Sequence, residues 1–268
     1  MIKFSYVKIN RPKLDSSNEN HKKLSDTFDL LEVYKDKIKS YIYTDINILY
    51  DSDDKRFIVS RVQQILSSTL LRSLYIRNGI VDAINSRNLV SLFANLKSFM
   101  EVPALLMYLN SLIEQDLSTD EYLEKFSDIV FGNRGDSELN VGERKAVNIL
   151  TMFEKIEKHM KKISNPKNVK DVDKKTSKVM TDFYTLVCNA SHPNYDAHDM
   201  IGYLDDQRGL WIGLSVEDFK KRMVDDALWY TPPVTITITM IEYICKLISG
   251  QKKINNFNNL PSLKYLEQ

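Results

Sequence analysis

The chain has 268 residues, with eight glycines and seven prolines, 43% apolar and 27% charged residues, and a net charge of +1. So few backbone punctuators exclude collagen-like, linker-like and turn-rich sandwich architectures, and leave little room for a glycine-rich phosphate loop. Near-balanced charge excludes strong overall attraction to nucleic acid or an anionic membrane, although a local basic face remains open.

The first 15 residues are short and partly alternating, the pattern of an edge strand or an arm. His21 to Tyr43 reads as a helix, because Leu24, Phe28, Leu31, Tyr34 and Ile38 recur at steps of three and four. Asp51 to Asp54 is acidic and turn-like, suited to capping the next helix. A long helical pattern then runs from Arg56 to about Ile84, weakened late by Gly79. Arg87 to Gln115 is helical again, with a kink expected at Pro103, which lacks the N–H that would bond the Phe99 carbonyl. Ser118-Thr119-Asp120-Glu121 is a capping-box pattern that starts a short helix to about Phe131.

Gly132 to Gly142 is a loop, and Glu143 to Ile163 is helical. Ser164 to Lys178 is polar and lysine-rich. Val179 to Ala190 is amphipathic and runs into Ser191-His192-Pro193-Asn194, where Pro193 pushes His192 out of the helical region. Residues 201–214 read as strand, turn and strand. Ser215 opens a helix that Pro232-Pro233 interrupts, and Val234 to Ile248 restarts it. The expected fold is all-α, a bundle of roughly seven to nine helices with one small β-hairpin at 199–214. The expected organisation is one domain over 1–250, with 1–20 as an N-terminal arm and 251–268 as a loose tail.

Cys188 and Cys245 stand alone in apolar surroundings, with no CxxC or Cys/His spacing that suggests zinc. Free thiols in a reducing compartment are the expectation. The N-terminus has no continuous apolar h-region, and Val234 to Ile248 is too short and too interrupted to span a bilayer, so the chain reads as cytoplasmic, with no membrane partner. No P-loop, GxGxxG, GxSxG, HExxH or kinase-like set is present, so no cofactor is expected.

Three segments carry a resemblance. They are Leu92 to Glu101, where a basic residue precedes a glutamate by one turn; Ala146 to Lys158; and Tyr184 to Tyr195, a helix ending in a His-Pro-Asn turn. Over roughly residues 60 to 215 the chain resembles uncharacterised bacterial helical proteins related to the HEPN superfamily (higher eukaryote and prokaryote nucleotide-binding domains). The resemblance implies a protein acting on or beside RNA, in bacterial antiviral defence or a toxin system, with helices pairing into a homodimer. HEPN ribonucleases carry an arginine about five residues before the histidine. Here the five residues before His192 hold no arginine, and the basic residue of the first segment is Lys97, which lacks arginine's bidentate fork. The alternative is therefore a non-catalytic module that binds a partner protein of such a system.

If the chain is catalytic, His192 is the acid/base of a metal-independent endoribonuclease, Lys97 the phosphate clamp and Glu101 the group that holds Lys97. Asn194 and Tyr184 would orient His192 or bind phosphate. The plainer readings stay beside these: Lys97 and Glu101 as a surface i,i+4 pair, His192 as a helix C-cap. From Lys155 to Lys178 nine lysines face three acids. Lys161, Lys162, Lys174 and Lys175 would contact a nucleic-acid backbone or simply be solvated. Asp196, His198 and Asp199 fit a solvated turn better than a metal site, and no metal is expected. A small-molecule pocket within the bundle is a third reading.

Overall fold

The computed structural model describes residues 5–43, 56–131, 147–164, 178–191, 202–205, 210–213 and 215–251. Among these the chain is all-helical apart from two short strands. The elements are α1 (Glu19–Ile38, tightening into a 3-10 turn at Lys39–Tyr41), α2 (Arg56–Asn85), α3 (Leu89–Ile113), α4 (Thr119–Phe131), α5 (Ile149–Ser164), α6 (Val179–Ser191), β1 (Gly202–Asp205), β2 (Leu210–Gly213), α7 (Val216–Asp225) and α8 (Ala227–Gly250). The backbones of β1 and β2 pair antiparallel, with Tyr203 opposite Ile212 and Leu204 opposite Trp211.

Local chemistry sets the helix ends. Asn18 caps α1, its side chain accepting from the Asn20 and His21 amides at 2.9 and 3.4 Å. Ser118 and Glu121 form the expected reciprocal box, at 3.3 and 2.8 Å, and Ser215 with Asp218 repeats it on α7. Between α2 and α3 the Asn88 amide bonds the Ala83 carbonyl and the Arg87 amide bonds that of Ile84. This is a Schellman closure, and it puts Arg87 at φ 58° where glycine is the usual occupant. Asn88 then caps α3 through Ser91 at 2.9 Å.

Two expectations need correction. The Pro232-Pro233 pair does not break the last helix: α8 runs unbroken from Ala227 to Gly250. The amides these prolines lack would have bonded the carbonyls of Leu228 and Trp229, residues that are 47% and 55% exposed, so water can satisfy that side of the helix. The fifth helix begins at Ile149, and Val147 and Asn148, expected to be helical, are not, because Asn148 caps it, accepting from the Leu150 amide at 2.9 Å; positions 143–146 of the expected helix lie outside the described residues. Helix α3 carries Pro103 in its interior, within the one helix that the sequence suggested.

Helix α3 is the axle. Apolar residues occupy most of its circumference, and Leu92, Leu96, Phe99, Met100, Leu106 and Leu109 are fully buried. Helices α2, α5, α6 and α8 all pack against it. By length and composition α3 could cross a membrane, and over half of its most apolar stretch is buried inside the bundle. Tyr34 of α1 joins three elements: its ring meets Phe99 edge-on at 5.4 Å and its hydroxyl bonds Ser73 of α2 at 2.7 Å. Cys245 is buried, which pushes its thiol up to about 12, whereas Cys188 is half-buried.

The N-terminal segment is an arm held by side chains of α2, not a strand. Asn78 accepts from the Val7 amide at 3.2 Å and donates to the Ser5 carbonyl at 2.7 Å. Asn85 repeats this with the Asn10 amide at 2.7 Å and the Lys8 carbonyl at 2.9 Å. Seven helical residues rise about 10.5 Å and three extended residues span about 10 Å, so the two asparagines match the arm's repeat. Arg77 is wholly buried beneath the arm. It donates to the Val7 and Leu31 carbonyls and lies 3.7 Å over the Tyr6 ring.

Gly79 of α2 lies against Asn95 of α3. A Cβ there would stand 2.5 Å from Asn95 Oδ1, and that side chain is held by a 2.8 Å bond to the Ser91 carbonyl. Gly79→Ala is therefore expected to destabilise the fold by about 1–2 kcal/mol despite alanine's better helix propensity, read as the midpoint of urea unfolding. Adding Asn95→Ala should recover most of that loss. Between α5 and α8, His159 and the Tyr243 hydroxyl are hydrogen-bonded at 2.9 Å. Burial, helped by Lys162 and opposed by Glu114, holds its imidazole below the ordinary value of 6.5. The folded chain thus binds fewer protons than the unfolded one below that value, and acidification favours unfolding. The melting temperature should fall between pH 7.5 and 5.5, and fall less in His159→Gln.

Candidate functional site

Helix α3 carries Lys97 and Glu101 one turn apart, and both are half-buried. Glu101 Oε1 accepts a hydrogen bond from the Tyr184 hydroxyl of α6 at 2.9 Å. Tyr184 is only 6% exposed, and its ring packs on Phe153 of α5 with centroids 4.7 Å apart. Burial first, and then the adjoining Glu101 carboxyl, push the Tyr184 phenol well above its usual range. It stays a protonated donor. Residues from all three segments of the HEPN resemblance, Glu101, Phe153 and Tyr184, meet at this one junction.

The geometry changes the role open to Tyr184. Its single proton goes to Glu101, and its ring is enclosed, so it positions Glu101. Thr181, one turn earlier on α6, donates to Glu157 of α5 and ties α6 to that second neighbour. Together these bonds fix the rotation of α6 about its axis.

A cavity of about 170 Å³ opens beside Glu101. Its polar lining is Thr69 and Arg72 of α2, Ser98 and Glu101 of α3, and Asp128 of α4. Sequence reading did not single out Arg72. The available signal was a basic residue three positions after Thr69, on a helical stripe otherwise apolar at Ile65, Leu66 and Leu70. With Arg72 lining the same space as two carboxyls, this wall offers an anchoring fork together with hydrogen-bond acceptors, not a purely basic cradle.

Lys161 and Lys162 are exposed in the last turn of α5, where cations complement the helix C-terminus. His192, Asn194, Lys174 and Lys175 lie outside the described residues, as do Asp196, His198 and Asp199. Among the described residues no three His, Cys, Asp or Glu side chains are grouped to hold a metal ion.

Removing the phenolic proton isolates the junction. Tyr184→Phe is expected to cost about 1–2 kcal/mol of stability, because it leaves a half-buried Glu101 oxygen without its donor. In a double-mutant cycle with Glu101→Gln, the two losses should fall short of additive by about 1 kcal/mol, measured by chemical denaturation. Comparisons with protein-family models, with curated proteins and with solved structures return no match to this chain.

Proposed function

We propose that the chain is a HEPN-like helical protein that acts on or beside RNA in a bacterial defence or toxin system, working as a homodimer and without a metal. The observation that carries this reading is the Glu101–Tyr184–Phe153 junction, where three separate stretches of the resemblance converge. In this reading His192, which follows α6 directly in the sequence, takes the 2′-hydroxyl proton. The 2′-oxygen attacks phosphorus, the bond to the 5′-oxygen breaks, and a proton returns to that leaving oxygen. Lys97 offsets phosphate charge. Glu101, held by Tyr184, is a positioning residue between α3 and α6.

A second reading is a non-catalytic module that binds a partner protein. Two observations favour it: Glu101 already serves the α3–α6 contact, and no arginine precedes His192 within a helical turn and a half. One experiment separates the two readings. Purified chain is incubated with single-stranded RNA in EDTA, beside His192→Ala and Lys97→Ala variants. The nuclease reading expects cleavage to 2′,3′-cyclic phosphate ends, lost in His192→Ala by about 100-fold or more. Equal cleavage by wild type and His192→Ala would remove the catalytic assignment. No cleavage by any form, with stoichiometric capture of a partner, would leave the module reading.

A further inference from the structure

A second and larger cavity, of about 470 Å³, lies where α3, α6 and the α7–α8 corner meet. That volume falls within the range of about 300–1,000 Å³ usual for small-ligand sites. It is separate from the Glu101 junction: Phe93 in its floor precedes Glu101 by eight residues, about 12 Å along α3.

Three walls have different chemistry. The floor is apolar, built by the buried Leu89 and Phe93 of α3. One side is a single stripe of α6, in which Asp182, Thr185 and Asn189 form a polar edge beside Leu186 and Ala190. The opposite side is the corner between α7 and α8, where Asp226 ends one helix and starts the next. Trp229 projects from that corner with 55% of its surface exposed, and a tryptophan left that open in the wall of a cavity is a ready stacking surface.

The charges in this cavity are unequal. Arg222 and Asp226 satisfy each other at 2.9 Å. Asp182 has no ion pair or hydrogen bond among the described residues. Among the described residues the cavity thus keeps one carboxylate without a paired cation, one broad aromatic face and an apolar floor. A phosphate or carboxylate ligand would meet like charge there. A cation with a flat or apolar body would meet the carboxylate at its charged end and the indole at its ring.

We propose that this cavity binds a small organic cation, an aryl-bearing amine or amidine, with its charge on Asp182 and its ring against Trp229. This site stands independently of the RNA reading, and neither outcome below depends on cleavage activity.

The test uses the full chain. Trp211→Phe leaves Trp229 as the sole tryptophan, and its emission is followed during titration with phenethylamine and benzamidine. The same ligands are added to the unaltered chain in thermal-shift experiments, so the measurement does not rest on one variant. Saturable change in Trp229 emission and a raised melting temperature are expected for both cations. The neutral isosteres phenethyl alcohol and benzamide should bind about tenfold more weakly or worse. Asp182→Asn should weaken cation binding by about tenfold and leave the unliganded melting temperature within about 2 °C, because Asp182 is exposed in the first turn of α6. Equal binding of amine and alcohol, unchanged affinity in Asp182→Asn, or no saturable response to either cation in both measurements would each overturn the proposal.

Discussion

Helix α3 has to be enclosed, and most of the architecture follows from that. A helix apolar over most of its circumference cannot rest on a surface, because any uncovered side leaves Leu, Phe or Met in water at a cost of about 1.5–3 kcal/mol per side chain. Helices α2, α5, α6 and α8 supply the cover. Each contributes its own apolar stripe and, Arg77 of α2 apart, keeps its charged residues off the core, which is why 27% charged residues coexist with a large core. The close approach at Gly79 shows how tight the cover is: the backbone of α2 comes near enough to α3 that one methyl group does not fit without displacing Asn95.

The arm solves a different problem. Extended backbone laid on a helix cannot find ladder partners, because the helix has already used its own amides and carbonyls. Asn78 and Asn85 supply side-chain amides in their place, two helical turns apart, in step with every third residue of the arm. Arg77 closes the layer from beneath, donating Nε to the Leu31 carbonyl and Nη1 to the Val7 carbonyl and laying its face on Tyr6, while its buried Nη2 has no hydrogen-bond partner among the described residues. A buried guanidinium with neutral partners keeps its charge through these contacts and not through an ion pair. The arm is therefore part of the core's closure on the α1–α2 side.

The two cavities sit on different faces of this core and differ in electrostatics. Beside Glu101 an arginine shares a small space with two carboxyls, bounded by α2, α3, α4 and the start of α5. At the α7–α8 corner a larger space sets Asp182, unpaired among the described residues, beside an open indole. Helix α6 serves both regions with opposite faces. Tyr184 points toward α3 and α5, while Asp182, Thr185 and Asn189 line the other side. The rotation of α6, fixed by Tyr184 on Glu101 and Thr181 on Glu157, thus sets what each cavity presents.

Helical periodicity alone was enough to place nearly every helix, because apolar residues at steps of three and four leave a strong local signal: Leu24 through Ile38 and Ile58 through Leu70 are examples. The capping boxes at Ser118 and Ser215 were legible for the same reason, since a cap involves residues three apart. Sequence also placed Lys97 and Glu101 on one face. It misjudged Pro232-Pro233, because the cost of a missing amide depends on whether water reaches the orphaned carbonyl, and that is decided by exposure. It could not pair Glu101 with Tyr184, 83 residues away, or bring Arg72 to the same cavity, or reveal that Arg77 is buried under an arm 70 residues distant. Local spacing determines which residues share a face of one helix. Only packing determines which face meets which, because that choice is made by the shapes and volumes of side chains far apart in the chain.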